Sequence, residues 1–153
     1  MKERPISFFP EMKQAILDGY KNQTRRIIKD KHAIDALNSQ NMFGGVDENY
    51  ILSKCPYGKV GDKLFVSEDD VPFGLKPKGR VVLKIRKIRF QRLQEISEEE
   101  AKAEGVIPER DCIGLPAQFR FPFVKLWDHI YESKGFGWDV NPWIWVIEFE
   151  RIK

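Results

Sequence analysis

The sequence predicts an α+β domain built on a small closed or half-closed β-barrel, with short helices packed at its ends and sides. Three observations carry that expectation. Five or six short strand-like stretches are interspersed with three or four helical ones, at spacings too irregular for a βαβ series. Trp143 to Phe149 is apolar on both faces where it begins and alternates later, as a strand running through a core does. At 153 residues, with 42% apolar and 32% charged residues, eleven Phe and four Trp, the chain has the size and aromatic content of one core, so residues 1–153 are read as a single domain without repeat or linker.

The elements follow in order. Ile6 to Phe9 is a short apolar run read as a strand. Pro10 and Glu11 then open a helix, because proline loses no bond in the first turn and a carboxylate there meets the positive helix end. Met12, Ile16, Leu17 and Tyr20 form its apolar stripe, and Gly19 is the left-handed stop. From Asn22 the period becomes two: Thr24, Arg26 and Ile28 share one face of an extended segment, and Gln23, Arg25 and Ile27 the other. Lys31 to Tyr50 holds a weak helical stretch around Ala33 to Leu37 and a loop at Asn41 to Gly45. Cys55 to Asp62 is dense in turn residues and leads into a strand, Lys63 to Glu68, with Leu64 and Val66 on one side. Asp69 to Gly79 reads as a loop. Arg80 to Leu93 is a long strand whose parity slips, which a bulge near Lys87 reconciles. Ser97 to Glu100 fits a capping box, so a short helix follows and Gly105 closes it. Ile107 to Arg120 has loop composition. Pro122 opens the last helix, whose Phe123, Leu126, Trp127, Ile130 and Tyr131 form a wide apolar face.

Charge and cysteine content exclude several classes. The formal net charge is +3, too small to argue for a polyanionic partner by itself, although basic residues cluster at Lys21 to Lys31 and Lys76 to Arg92. The two cysteines, Cys55 and Cys112, are far apart with no Cys-x-x-Cys pattern, and His32 and His129 form no ligand pair, so neither a metal nor a disulfide framework is expected. No signal-type stretch or membrane span is present, and a reducing cytoplasm fits best. No cofactor is expected.

Gly19 to Arg26 places an ammonium, a hydroxyl and two guanidinium groups within eight residues, which suits an anionic or polar heterocyclic ligand. Lys21 can contact phosphate while charged, or act as a base if burial and neighbouring cations lower its pKa. A base beside Thr24 makes the hydroxyl nucleophilic, and Glu68 at a strand end can move a proton or hold Lys21 in place. The competing structural reading pairs Arg26 with Glu68 inside the barrel, gives Thr24 a turn-capping task and leaves Lys21 in solvent. Arg25 is read as a basic surface group or a phosphate contact. Tyr20, Tyr57 and Trp138 are candidates for stacking on bases, at about 1–3 kcal/mol each.

Gly19-x-Lys21-x-x-Thr24-x-Arg26 after a short helix resembles the signature of the activating signal cointegrator homology (ASCH) domain. Gly61-Asp62-x-Leu64-x-Val66-x-Glu68, Ile96 to Gly105, and Phe123-x-x-Leu126-Trp127 with Asn141-Pro-Trp-x-Trp extend the resemblance over nearly the whole chain. Cys55-Pro-Tyr-Gly and Trp138-Asp-x-Asn-Pro-Trp make it particularly similar to members carried by phages and prophages. The resemblance implies a barrel of the pseudouridine synthase and archaeosine transglycosylase (PUA) type with a cleft walled by the signature. It implies RNA or a nucleotide as the partner. Some members are similar to metal-independent hydrolases that remove an acyl group from modified cytidine, and others to ribonucleases. In the hydrolases a Lys and a Thr of the motif and a Glu on a later strand carry the chemistry, which by motif correspond to Lys21, Thr24 and Glu68. Binding of RNA or a nucleotide in the cleft is the favoured expectation, hydrolysis of an acylated nucleoside or of RNA the alternative, and protein contacts through Ile107 to Arg120 a third.

Overall fold

The computed structural model describes residues 2–39, 47–66, 81–108 and 117–152. Five strands, β1 (Glu3–Ile6), β2 (Gln23–Ile27), β3 (Lys63–Val66), β4 (Val82–Arg92) and β5 (Trp143–Arg151), form one sheet in the order β1-β3-β4-β5-β2. β1 runs parallel to β3, and the other pairings are antiparallel. Among the described residues β1 and β2 do not pair, so the sheet is open and mixed where a barrel was expected. A hydrogen bond from Arg26 Nη2 in β2 to the carbonyl of Ser7, just past β1, spans that gap at 2.8 Å.

Five α-helices accompany the sheet: α1 (Pro10–Leu17), α2 (Lys31–Asn38), α3 (Glu48–Leu52), α4 (Glu98–Ala103) and α5 (Arg120–Tyr131). Proline starts α1, and Gly19, at φ 84°, reverses the chain beyond it. Ser97 and Glu100 exchange hydrogen bonds at the start of α4 as the capping-box pattern requires. α5 starts at Arg120, ahead of Pro122, because the Glu98 carboxylate accepts from the backbone N–H groups of Phe119 and Arg120 and anchors the first turn to α4. α3 has no counterpart in the sequence reading; a single turn capped by Asp47 is too short to produce a hydrophobic period. The first strand lies at Glu3–Ile6 and not at Ile6 to Phe9, since its register with β3 ends at Ile6 opposite Val66. The parity slip in β4 is a register shift between Ile85 and Lys87.

Both faces of the sheet are covered. Ile147 and Phe149 of β5 join Ile6, Leu64, Leu83 and Ile85 beneath Ile16 of α1, while Trp145 packs with Leu37 of α2 and Ile51 of α3. On the opposite face Ile144 and Val146 pack with Ile27, Ala101 of α4, and Phe123 and Trp127 of α5. β5 is therefore the central layer, apolar on both sides. Among the described residues no helix is long and apolar enough to cross a membrane. The expected loops at Asn41 to Gly45 and Asp69 to Gly79, and most of Ile107 to Arg120, lie outside the described residues.

Candidate functional site

β2 is an edge strand, and its register with β5 fixes where each side chain goes. Thr24 lies opposite Ile147 and Arg26 opposite Trp145, so they share the α1 side of the sheet. Gln23 and Arg25 lie opposite Glu148 and Val146, on the side of α4 and α5. A pocket of about 300 Å³ opens along this edge. Phe8 and Met12 line it from one side, Trp127 and Tyr131 of α5 from the other, and Lys21, Thr24, Arg25, Arg26 and Glu104 also reach it.

Arg26 donates from Nε to Thr24 Oγ1 at 3.2 Å and from Nη2 to Ser7, and its guanidinium lies 5.0 Å from the Phe8 ring centroid. No hydrogen bond within the described residues uses its Nη1, so those N–H groups are available to a ligand. The Tyr131 ring stacks 4.3 Å from Trp127, and its hydroxyl makes no hydrogen bond within the described residues. Burial raises the Tyr131 pKa above that of an ordinary phenol; Arg26 opposes the shift, while Tyr57 and Glu104 reinforce it.

Lys21 is 5% exposed and donates all three ammonium protons inward, to the carbonyls of Gln23 and Glu104 and to Glu104 Oε2, each at 2.8 Å. The backbones of Lys21 and Glu104 form an isolated antiparallel bridge, and Asn22 N donates to the Ala103 carbonyl at 2.9 Å. Gly105 permits this approach, because a Cβ there would stand 2.8 Å from the Lys21 Cβ and the backbone has φ +88°. Burial lowers the Lys21 pKa by more than the charge and hydrogen bond of Glu104 restore, and Arg26 and Arg25 push it the same way.

Arg25 corrects one of its two sequence readings, that of a basic surface group. It is 4% exposed and not a surface group. Its Nη1 donates to Gln23 Oε1 and Glu104 Oε1, both at 3.0 Å, and its Nη2 to Gln91 Oε1 at 3.2 Å and Glu100 Oε2 at 2.6 Å, while Nε has no partner among the described residues. Arg89 pairs with Glu100 and, at 3.5 Å, with Glu148. Burial works to raise the Glu100 pKa, but the Arg89 hydrogen bond, the charges of Arg25 and Arg89 and the Ser97 N–H together hold it below the usual carboxyl range. Three cations thus face three carboxylates on the α4 side of β2.

The remaining candidates are dispersed. Tyr20 is 71% exposed and borders a second surface pocket with Asn22, Lys102 and Phe119, since the chain has already turned at Gly19. Tyr57 packs between the cores beneath α1 and α2, and Trp138 lies against the α5 core beneath the Arg120 guanidinium, 4.9 Å from its ring centre. Neither lines the pocket. Glu68 lies outside the described residues, as does Cys112, and among the described residues the carboxylate that meets Lys21 is Glu104. Asp62 of the Gly-Asp element accepts from Arg4 at 3.0 Å and from Lys59 N at 3.2 Å, a structural clamp on the turn before β3. Among the described residues no cluster of His, Cys, Asp or Glu has metal-binding geometry.

Sequence reasoning missed Glu104, Glu100 and Gln91. One signal was present: Glu100 and Glu104 stand four apart on α4 and at its end, a like-charge spacing that is unfavourable unless cations from elsewhere meet it.

No family model and no curated protein matches the sequence. Solved structures do match. The ASCH domain of Lactobacillus crispatus JV V101 aligns at TM-score 0.52 and 12% identity, covering 98% of this chain and 79% of that one. The hypothetical protein PH0355 aligns at TM-score 0.54 and 17% identity, covering 99% and 100%. Protein EF3133 of Enterococcus faecalis V583 aligns at TM-score 0.53 and 13% identity, covering 99% and 77%. The chain has an ASCH-like fold.

Proposed function

We propose that the chain binds RNA or a nucleotide, with one base or nucleoside seated in the pocket between Phe8, β2 and α5. The observation that carries this reading is the convergence of the Arg26 guanidinium, the Thr24 and Tyr131 hydroxyls and the faces of Phe8 and Trp127 on one pocket of about 300 Å³. That volume is at the lower end for small-molecule sites, and the mixture of aromatic walls with a few polar groups suits a flat heterocycle with polar edges. Arg26, not Lys21, is the cation that meets a phosphate or carbonyl, through Nη1. The ASCH-like fold is consistent with this reading and does not choose the ligand.

The test is calorimetric titration with a panel of ribonucleosides, their monophosphates and short single-stranded RNAs. Salt-dependent binding by one class is expected, weakened about tenfold or more in Arg26→Ala. Failure of every panel member to bind rules the reading out.

A second reading is favoured by one contact, the buried Lys21–Glu104 pair beside Thr24. It is metal-independent hydrolysis of an acylated cytidine-type nucleoside. Lys21 in its neutral form takes a proton from the attacking water and gives it to the departing nitrogen as the C–N bond breaks, while Glu104 stays ionised and holds Lys21 in place through their 2.8 Å hydrogen bond. Thr24, already accepting from Arg26, donates a hydrogen bond from its hydroxyl to the acyl oxygen and keeps its proton. Release of free amine from N4-acylcytidine, lost in Thr24→Val, supports it; an intact panel of acylated nucleosides sinks it. The RNA oligonucleotides, recovered from the titrations, report any strand cleavage.

A further inference from the structure

Glu104 divides its carboxylate between two cations. Oε2 accepts from Lys21 at 2.8 Å and Oε1 from Arg25 at 3.0 Å, with the Arg25 side chain only 1% exposed. The two cations differ in what else holds them. Lys21 Nζ is otherwise bonded only to carbonyl oxygens, whereas Arg25 also spans Gln23, Gln91 and Glu100 and is fixed from three elements. Lys21 lines the pocket and can release a proton by giving up one of its three hydrogen bonds; a guanidinium does not release one.

We propose that Arg25 is a positioning residue that keeps Glu104 ionised and oriented when Lys21 passes its proton to a ligand in the pocket. With Lys21 as the sole counter-ion, removal of its proton would strand a buried carboxylate, and Lys21 would hold the proton tightly or Glu104 would take it. Arg25 removes that obstacle, since one cation stays on Oε1 after Lys21 becomes neutral. It also repels the Lys21 ammonium, in the same direction as burial. The other charged or titratable groups around Lys21 are Arg26 of β2, Glu100 of α4, Tyr131 at the end of α5 and Lys134 in the turn after it, with Arg89 and Glu148 behind Arg25. In the transfer the Lys21 N–H bond breaks and an N–H bond to the ligand forms, so charge and atoms balance. The hydrolytic reading gives this arrangement its purpose; the electrostatics stand without it.

The experiment is NMR titration of the full chain, following the Lys21 ε-carbon and the Glu104 carboxyl carbon. In the parent chain Glu104 is expected to stay ionised while Lys21 releases its proton. In Arg25→Gln, Lys21 should bind its proton about tenfold more tightly, and Arg25→Lys, which keeps the charge, should return it to within about twofold of the parent. A folded Arg25→Gln with unchanged Lys21 titration overturns the proposal. If that variant does not fold, the parent titration decides: a Glu104 carboxyl that becomes protonated when Lys21 is neutral overturns it equally. Absence of turnover on acylated nucleosides, with the titrations as expected, would remove the hydrolytic reading and leave the Arg25 assignment standing.

Discussion

Arg25 and Arg26 are adjacent in sequence and identical in chemistry, yet the two faces of β2 use them in opposite ways. Arg25 is enclosed by Gln23, Gln91, Glu100 and Glu104, and its contacts form a closed set apart from Nε. Arg26 is half-buried, rests on Phe8 and lines the pocket, with no hydrogen bond on Nη1 within the described residues. The difference follows from the one-residue alternation of a strand lying between different layers. On one side α4 supplies carboxylates; on the other the segment after β1 supplies a carbonyl and an aromatic ring. A positive residue at an edge strand is thus enclosed by carboxylates or set beside a pocket according to parity.

The strongest way to break that contrast is Glu104→Ala. It leaves Lys21 and Arg25 without their shared carboxylate, and a loss of about 3–5 kcal/mol is expected in urea unfolding. A loss below about 1 kcal/mol would mean that the enclosed face is not electrostatically closed. Arg26→Ala should do the reverse: binding of the RNA or nucleotide ligand falls about tenfold or more while stability drops by about 1 kcal/mol. Equal effects of Arg26→Ala and Arg25→Ala on stability would erase the distinction between the faces.

Acid unfolding sharpens it further. The Glu100 carboxyl is held below the usual range, so its contribution is present above the unfolded value and is lost as pH falls through the folded one. Glu100→Gln should therefore start less stable at neutral pH and lose less between about pH 5 and 3 than the parent, as followed by circular dichroism. A parallel pH dependence in both chains would remove Glu100 from the network. The smallest effect is expected at Arg86, whose pair with Glu150 is over half exposed on each side; Arg86→Ala should change stability by no more than about 0.5 kcal/mol.

Parity, caps and turns were legible in the sequence because each is local. The split of Thr24 and Arg26 from Gln23 and Arg25, the Ser97 capping box, the stop at Gly19 and the bulge in β4 all follow from spacing or residue type within a few positions. What lies opposite each face was not legible. Arg25 read as a surface group because nothing near it in sequence announces Glu100 and Glu104, some 75 residues on. Closure of the barrel also could not be read, because strand composition sets how many strands form and not whether β1 and β2 meet. Tyr20 belonged to an apparent helical stripe, but α1 ends at Leu17 and the stripe ends with it.

The backbone bridge between Lys21 and Glu104 has a bearing on how the chain comes to be folded. During synthesis β2 leaves the ribosome before its neighbour β5 and before the acidic residues of α4, so Lys21 and Arg25 must wait, hydrated and unmatched, until those residues are made. Their final environment is assembled from parts 83 and 79 residues away. Such long-range closure is slow relative to local helix formation. The two cations therefore make β2 a late recruit to the sheet, and until the last strand is made they also keep it soluble, a charged sequence unsuited to pairing with the wrong edge.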